Sequence, residues 1–544
     1  MRDCVENIDN DNFFAKKRHK QHYRRPIEYP FKESELRTTT IIFGGLTWKH
    51  EILLKASFEN LGYLCDILPN PDFESLQIGK EFCDPGLCNP VYFTFGALIK
   101  YLKKLEASGI PKEKIIKNYV YLTAGSCGPC RFGMYESQFR IGLNNAGYNG
   151  FRVIIFQQNE GLDQVKEEYA LKFNHDFFLR ILGSFILADI LNDVAYQYRP
   201  YEIETGSVDK ALKETIDKAY LNLKIIEYPS IIKKLSKLAE KQFFPNYLLL
   251  LLKIVYFYYC KEYNDIPKDF LKRLKRINYN FFKIKPIVKV TGEFWAQTTE
   301  SDGNLNMHRF LEQNNAQVIP EPLSNWIMYI LHQNRYNKQL YISNNFKSTK
   351  LLSKNAKSII KELVGIIIIR ILEKLMMLFY NHFRKKLNKI PFSLPSQDKL
   401  RFLSKKYYNP LIEGGEGHLE IGKTLYYSLN NLCHMVISLK PFGCMPSTMS
   451  DGIMSSILNH NNNVLFSSIE TGGEGIINMY SRVLMTLNEA KEKAKNEFEQ
   501  FIKKNNIDIN QITNGYKHNF FPFRKKGEKK NILFSIKYIE KSLN

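Results

Sequence analysis

No apolar run in this chain is both long and clean enough to cross a bilayer. The two longest, YLLLLLKIVYFYYC (247–260) and VGIIIIRILEKLMMLFY (364–380), fall short of the roughly 20 residues a spanning helix needs, and both contain charge. Both are expected as buried helices, with no membrane partner. Met1 to Pro30 is polar and basic, so no secretory signal is expected, and the sequence reads as a cytoplasmic protein. Neither glycine cluster, GGEGH (414–418) or GGEG (472–475), is followed by Gly-Lys-Ser/Thr, which excludes a P-loop. No full dinucleotide fingerprint and no tandem repeat occurs. Nine cysteines in 544 residues are not a disulfide framework in a cytosolic chain.

Acidic residues are outnumbered, 55 against 77 Lys and Arg, for a net charge of +22. Basic residues cluster at Lys16–Arg25, Lys210–Lys285 and Arg524–Lys530. Such a balance attracts phosphate-rich partners, nucleic acid or a CoA tail among them. No nucleic-acid recognition motif accompanies the charge, and Lys, Asn, Ile, Tyr and Phe are abundant together, which marks a compositional bias. Nucleic acid is therefore not an expected partner.

What is present is an alternation of strands and helices. TTTIIFGG, YLCDILP, NYVYLTAGS and FRVIIFQQ read as strands, with helical spacing between them in LTWKHEILLKASFENLG, PVYFTFGALIKYLKKLEASG and RFGMYESQFRIGLNNAGY. The pattern returns at PIVKVTGEF (286–294), HMVISLKPF and VLFSSIE, while NLNMHRFLEQNNAQVIP reads as helix and turn. Strands separated by helices imply parallel βαβ units. The expected class is α/β, with two Rossmann-like parallel-sheet domains and a helical insertion. The expected boundaries are a basic tail at 1–37, a first α/β domain at 38–162, a helical insertion at 163–285, a second α/β domain at 286–503 and a basic tail at 504–544. Single cores stop growing at roughly 250–300 residues, so more than one domain is expected.

Five cysteines stand in Gly/Pro-rich loops beside apolar segments: Cys83 and Cys88 in EFCDPGLCNP, Cys127 and Cys130 in TAGSCGPCRFG, and Cys444 in KPFGCMPST. Ligands in such folds lie beyond the carboxyl ends of strands, where Cys127, Cys130 and Cys444 fall. An iron–sulfur cluster needs three or four thiolates converging from separate loops, which makes these five the candidate metal ligands. Cys127-Gly-Pro-Cys130 also fits a thiol–disulfide oxidoreductase, because a helix start favours thiolate. Cys4, Cys65, Cys260 and Cys433 read as packing or tail residues. Ser447, Thr448 and Ser450 are expected to cap the helix after Cys444. Glu416, His418, Glu470 and Glu474 are acid/base candidates by location alone.

The stretches LTAGSCGPCRFGMYESQFRIGLNNAGYNGFRVIIFQQ, VTGEFWAQTTESDGNLNMHRFLE and KPFGCMPSTMSDGI resemble the 2-hydroxyacyl-CoA dehydratase and benzoyl-CoA reductase superfamily, to which double-cubane cluster proteins also belong. Within it they are most similar to the activase-related branch, over roughly 38–162 and 286–490. The resemblance implies Rossmann-like domains holding a 4Fe-4S cluster, or a larger double-cubane cluster, between them. It implies Cys88, Cys130 and Cys444 as the cluster cysteines, with Cys83 and Cys127 as additional cysteines of the branch. It further implies a separate ATP-dependent activator protein that donates a low-potential electron, an acyl-CoA substrate reduced to a ketyl radical, and a homo- or hetero-oligomer. The activator's own ATP-binding motifs are absent here, so the expected role is the electron-accepting, cluster-bearing one in an oxygen-sensitive protein. A non-catalytic electron-transfer or scaffold subunit is the remaining alternative.

Overall fold

The computed structural model describes residues 31–504 apart from 127, 158–170, 173, 243–244, 282, 347–351, 462–463 and 473–474. It begins with β1 (Thr40–Phe43), α1 (Trp48–Asn60), β2 (Leu64–Ile67), α2 (Phe73–Phe82), α3 (Asn89–Ala107), α4 (Lys112–Asn118), β3 (Tyr119–Gly125), α5 (Tyr135–Asn145) and β4 (Arg152–Gln157). The four strands form one sheet in the order β2-β1-β3-β4, every pair parallel. Parallel neighbours require a crossover, and the helices between the strands supply it. Their inward faces explain the runs of Ile, Val and Tyr in the strands: Ile41, Ile42, Val120 and Tyr121 are buried.

Next come α6 (His175–Tyr198), α7 (Ser207–Lys224), α8 (Ser230–Glu240), α9 (Asn246–Tyr259) and α10 (Lys261–Leu274). The chain then runs through β5 (Ile287–Gly292), α11 (Phe294–Thr298), α12 (Met307–Gln313), β6 (Gln317–Ile319), α13 (Leu323–Phe346), α14 (Leu352–Lys386) and α15 (Gln397–Ser404). It continues with α16 (Gly417–Leu429), β7 (Met435–Lys440), α17 (Met445–His460), β8 (Leu465–Glu470) and α18 (Ile476–Lys504). The second sheet is also all-parallel and repeats the plan of the first, β6-β5-β7-β8. In both sheets the first strand in sequence is flanked by the second and third. The crevice at that reversal is where ligands bind in open α/β sheets. The loops after β3 and β7, which carry Cys130 and Cys444, hold equivalent places in the two sheets.

The helical stretch between the sheets is a keel. Helix α6 is buried along most of its length and packs on α1, α13, α14 and β6. One apolar core joins it to Leu53 and Ala56 of α1, to α7 and α10, and to Met376, Phe379, Tyr380 and Phe383 of α14. Asp189 of α6 locks the two halves: it lies 3.0 Å from His50 Nε2 of α1 and accepts from the backbone N–H of Leu323 (2.8 Å) and Ser324 (2.7 Å) at the start of α13.

Three expectations need correction. Gln317–Ile319 is a strand, β6, where the sequence reads as helix and turn; three residues at a sheet edge are too few to show a period. Helix α17 starts directly after Cys444, with Pro446 in its first turn, where proline is favoured. Ser447, Thr448 and Ser450 are therefore inside the helix rather than capping it. The two apolar runs form helices that are not buried all round: Leu251 is 57% exposed on α9 and Ile367 is 59% exposed on α14. Apolar residues on every face of these helices outnumber the positions the core can take. At the amino end, Phe31 is buried beneath the Arg152 guanidinium.

Candidate functional site

Three loops bring cysteines together. Cys88 precedes α3, whose start is fixed by Pro90 and by close contact with α2: a Cβ on Gly96 would meet Ser75 O at 1.7 Å. Tyr92 braces the loop before Cys88, its hydroxyl accepting from Leu87 N (3.0 Å) and donating to Asp84 O (2.8 Å). Cys130 ends the loop after β3 and leads into a 3-10 turn, Arg131–Met134. Cys444 follows β7 and immediately precedes α17.

Arg131 stitches the loops. Its guanidinium donates to Gly86 O (2.7 Å) and to Gly443 O (2.5 Å), and it also hydrogen-bonds the Cys88 sulfur. Asn89 donates to Thr471 O, joining α3 to the loop after β8. From the second half, Gly415 packs between the other two cysteine loops. A Cβ there would stand 2.6 Å from Pro446 Cγ and 3.5 Å from Cys130 Cβ, and its φ is +70°.

A cavity of about 30 Å³ opens between the halves, lined by Cys130, Cys444, Glu293, Glu416, Ser126 and Ser447 on its polar side and by Phe132, Phe294, Trp326 and Tyr329 on its apolar side. Cys88 does not line it, but the Cys88 charge acts on both Cys130 and Cys444. Burial pushes the Cys130 and Cys444 thiols up to about 12. Burial also raises the Cys88 thiol, against the pull of Arg131. The Tyr135 phenol is held well above its usual value by burial and then by the charges of Cys88, Glu293, Cys130 and Cys444. Among the described residues, no three His, Cys, Asp or Glu side chains stand close enough to chelate a single ion.

Glu293 was not marked by its residue type, yet it follows β5 at the strand end where the ligand rule points. Burial pushes its carboxyl up to about 7, opposed by hydrogen bonds from the Ala296 and Trp295 backbones and reinforced by the Glu416 charge. Glu416 is held in turn by Lys423 Nζ at 2.7 Å. Lys423 also reaches Gln297 Oε1 (3.1 Å) and Glu321 (3.3 Å), and Glu321 pairs with Lys289 of β5 at 2.6 Å. This chain of buried charges runs from the cavity wall into the centre of the second sheet.

The other candidates fall elsewhere. Cys83 ends α2 within the apolar core under its loop, its sulfur 4.0 Å from Gln138 O, and it does not line the cavity. Burial, then Asp84, raises its thiol to about 12. Cys127 and Glu474 lie outside the described residues, as does Cys4. His418 is packed against Tyr329 and burial lowers it to about 3, so it stays neutral. Glu470 closes β8 and does not line the cavity. Cys65, Cys260 and Cys433 are buried in apolar clusters, as packing residues should be. No family model matches the chain, and no curated protein matches it.

Proposed function

We propose that Cys88, Cys130 and Cys444 hold an iron–sulfur cluster between the two parallel-sheet halves, in an electron-accepting protein of the 2-hydroxyacyl-CoA dehydratase type. The observation that carries this reading is that Cys130 and Cys444, from distant loops, line one cavity, with Cys88 near enough for its charge to act on both. A cluster interposes its own irons and sulfides between the cysteines, so its ligands need not stand at single-ion distance. The donor set fits: three sulfurs in a water-poor setting, with Arg131 donating beside one of them and the backbone N–H of Phe132 and Ser447 beside the others. Such hydrogen bonds tune cluster potential. Metal binding deprotonates a coordinating thiol outright, whatever burial does to the free one.

A bound cluster supplies one-electron chemistry at low potential. Phe132, Phe294, Trp326 and Tyr329 keep water from the space, and Arg131 fixes the Cys88 and Cys444 loops. Glu293, whose carboxyl titrates near neutrality, can hold or release a proton at its oxygen atoms inside the cavity. The reading includes an ATP-dependent activator as electron donor, an acyl-CoA or other small substrate, and a reducing cytoplasmic setting. Cys65, Cys83, Cys88, Cys130, Cys260 and Cys444 are free thiols, and no described helix is long and apolar enough to cross a membrane.

The thiol–disulfide alternative has less support. A redox cysteine requires a lowered thiol pKa, whereas Cys130 is raised and precedes a 3-10 turn rather than an α-helix. The deciding experiment is anaerobic reconstitution with iron and sulfide, followed by metal analysis and electron paramagnetic resonance of the reduced protein. Coloured protein with stoichiometric iron and sulfide supports the cluster. Colourless, iron-free protein that reduces disulfides supports the dithiol, and coloured protein inert toward every acyl-CoA supports an electron-transfer subunit.

A further inference from the structure

Helix α14 turns an apolar stripe to solvent that no other described part of the chain covers. Ile360, Val364, Ile367, Ile371 and Leu378 are 59%, 49%, 59%, 52% and 48% exposed. They are spaced four, three, four and seven residues apart, which keeps them on one side of the helix. The opposite side is occupied. Ile359 and Ile366 are buried there, and Lys338–Glu362 (2.6 Å), Arg335–Glu373 (3.1 Å) and Tyr341–Ser358 (3.1 Å) join that side to α13. Both glutamates of the stretch are thereby turned away from the open face. The exposed charges between Ser358 and Leu378 are Lys361, Arg370 and Lys374, all cations. By helical spacing Lys361 falls on one flank of the stripe, and Arg370 and Lys374 on the other.

We infer that this face of α14, Ile360 to Leu378, docks on an anionic phospholipid surface, with the helix lying in the plane of the headgroups. The apolar run is too short and too charged to span a bilayer, but an interfacial helix needs only one apolar face with cations at its margins. Long basic side chains at those margins reach the headgroup phosphates while their stems rest on the stripe. The charge pattern selects the occupant. Three cations with no exposed carboxylate beside them repel an identical face and complement a negative one. Each basic residue near an anionic surface strengthens binding about fivefold, so the three together contribute about 100-fold. The net charge of +22 adds a long-range attraction of the same sign. Salt screens both terms, so docking weakens as ionic strength rises. Nothing in this docking depends on the cluster.

The test is flotation of the full chain with mixed phosphatidylglycerol and phosphatidylcholine vesicles, and with phosphatidylcholine vesicles alone. Wild type is compared with Ile367→Glu/Ile371→Glu and with Lys361→Gln/Arg370→Gln/Lys374→Gln, and Ile477→Glu on α18 (80% exposed) is the control. All the replaced side chains are exposed, so circular dichroism and Tm should match wild type. If the double variant misfolds, the triple variant carries the test. The expected result is wild type and control that float with the anionic vesicles, barely with the neutral ones, and less as sodium chloride rises. The double variant should stay behind, and the triple variant should bind about 100-fold more weakly. Wild type that does not float with anionic vesicles would overturn the inference, as would equal flotation on both vesicles or flotation that either set of substitutions leaves unchanged. So would a wild-type dimer in sedimentation equilibrium that the double variant dissociates, because a second copy would then cover the stripe.

Discussion

Arg131 donates to the carbonyl of Gly443 across the gap between the two sheets, 2.5 Å away, so the residue after Cys130 is tied to the residue before Cys444. The same guanidinium holds Gly86, two residues before Cys88. One side chain thus fixes the spacing of three cysteine loops.

Replacing Arg131 should loosen that spacing before it unfolds the protein. A hydrogen bond from a charged donor contributes about 1.5–3 kcal/mol, and Arg131→Met loses two to backbone. Anaerobically reconstituted Arg131→Met is expected to bind iron at reduced stoichiometry. Arg131→Lys, a single point donor without the planar fork, should recover only part of it. Full iron content in both variants would remove Arg131 from the site.

The cysteines divide by geometry. Cys88→Ala, Cys130→Ala and Cys444→Ala should each remove most bound iron, while Cys83→Ala and Cys260→Ala retain it, because Cys88 stands beside Arg131 and acts on Cys130 and Cys444, whereas the surroundings of Cys83 and Cys260 include neither. Iron and sulfide per chain, measured on all five, decides the matter. Equal iron throughout would end the assignment.

Gly415 is sensitive for a steric reason. Its φ of +70° and the 2.6 Å approach to Pro446 leave no room for a methyl group. Gly415→Ala is expected to lower stability by about 1–3 kcal/mol and to push its loop away from Cys130. Chemical denaturation and iron content should therefore fall together; an unchanged midpoint would show that the loop absorbs the substitution.

Lys423 is fully buried between Glu416 and Glu321. Lys423→Met leaves two carboxylates without their shared cation, a loss of about 3–5 kcal/mol for a broken buried pair. Lys423→Met/Glu416→Gln should recover part of it. Urea unfolding of both variants tests the coupling.

Stability should also depend on pH through Glu51. Burial raises its carboxyl to about 8, opposed by hydrogen bonds from the Leu46 and Gly45 backbones. Between the unfolded value near 4.5 and about 8, the folded state keeps a proton that the unfolded chain has released. Stability contributed by the neutral form is therefore full below about 4.5 and declines as pH rises to about 8. Glu51→Gln should flatten that decline in denaturation midpoints measured across the window. A wild-type profile that rises through the window, or an unchanged slope in the variant, would contradict this assignment.

Much of the scaffold was legible in the residues. Among the described residues, seven of the eight strands announce themselves as β-branched or aromatic runs, and the helices between them imply parallel pairing. The missing strand, Gln317–Ile319, exists because β5 offers it an edge, which no local pattern records. Cys130 and Cys444 were readable from their places after strands. Glu293 shares that placement, but nothing about a glutamate in VTGEF distinguishes a cavity wall from a helix cap, and it serves as both. Cys83 and Cys88 look alike in sequence and share one apolar cluster, and only the tertiary placement of Arg131 beside Cys88 separates them.

By itself the sequence determined that this chain folds into βαβ units with cysteine-bearing loops at strand ends, because side-chain periodicity and loop glycines act over a few residues. The tertiary structure alone decided that Cys130 and Cys444 line one cavity with Cys88 beside Arg131 nearby, and that α6 joins the two sheets. Those outcomes depend on contacts between residues hundreds of positions apart, and their geometry is set by how the two sheets pack rather than by any local preference.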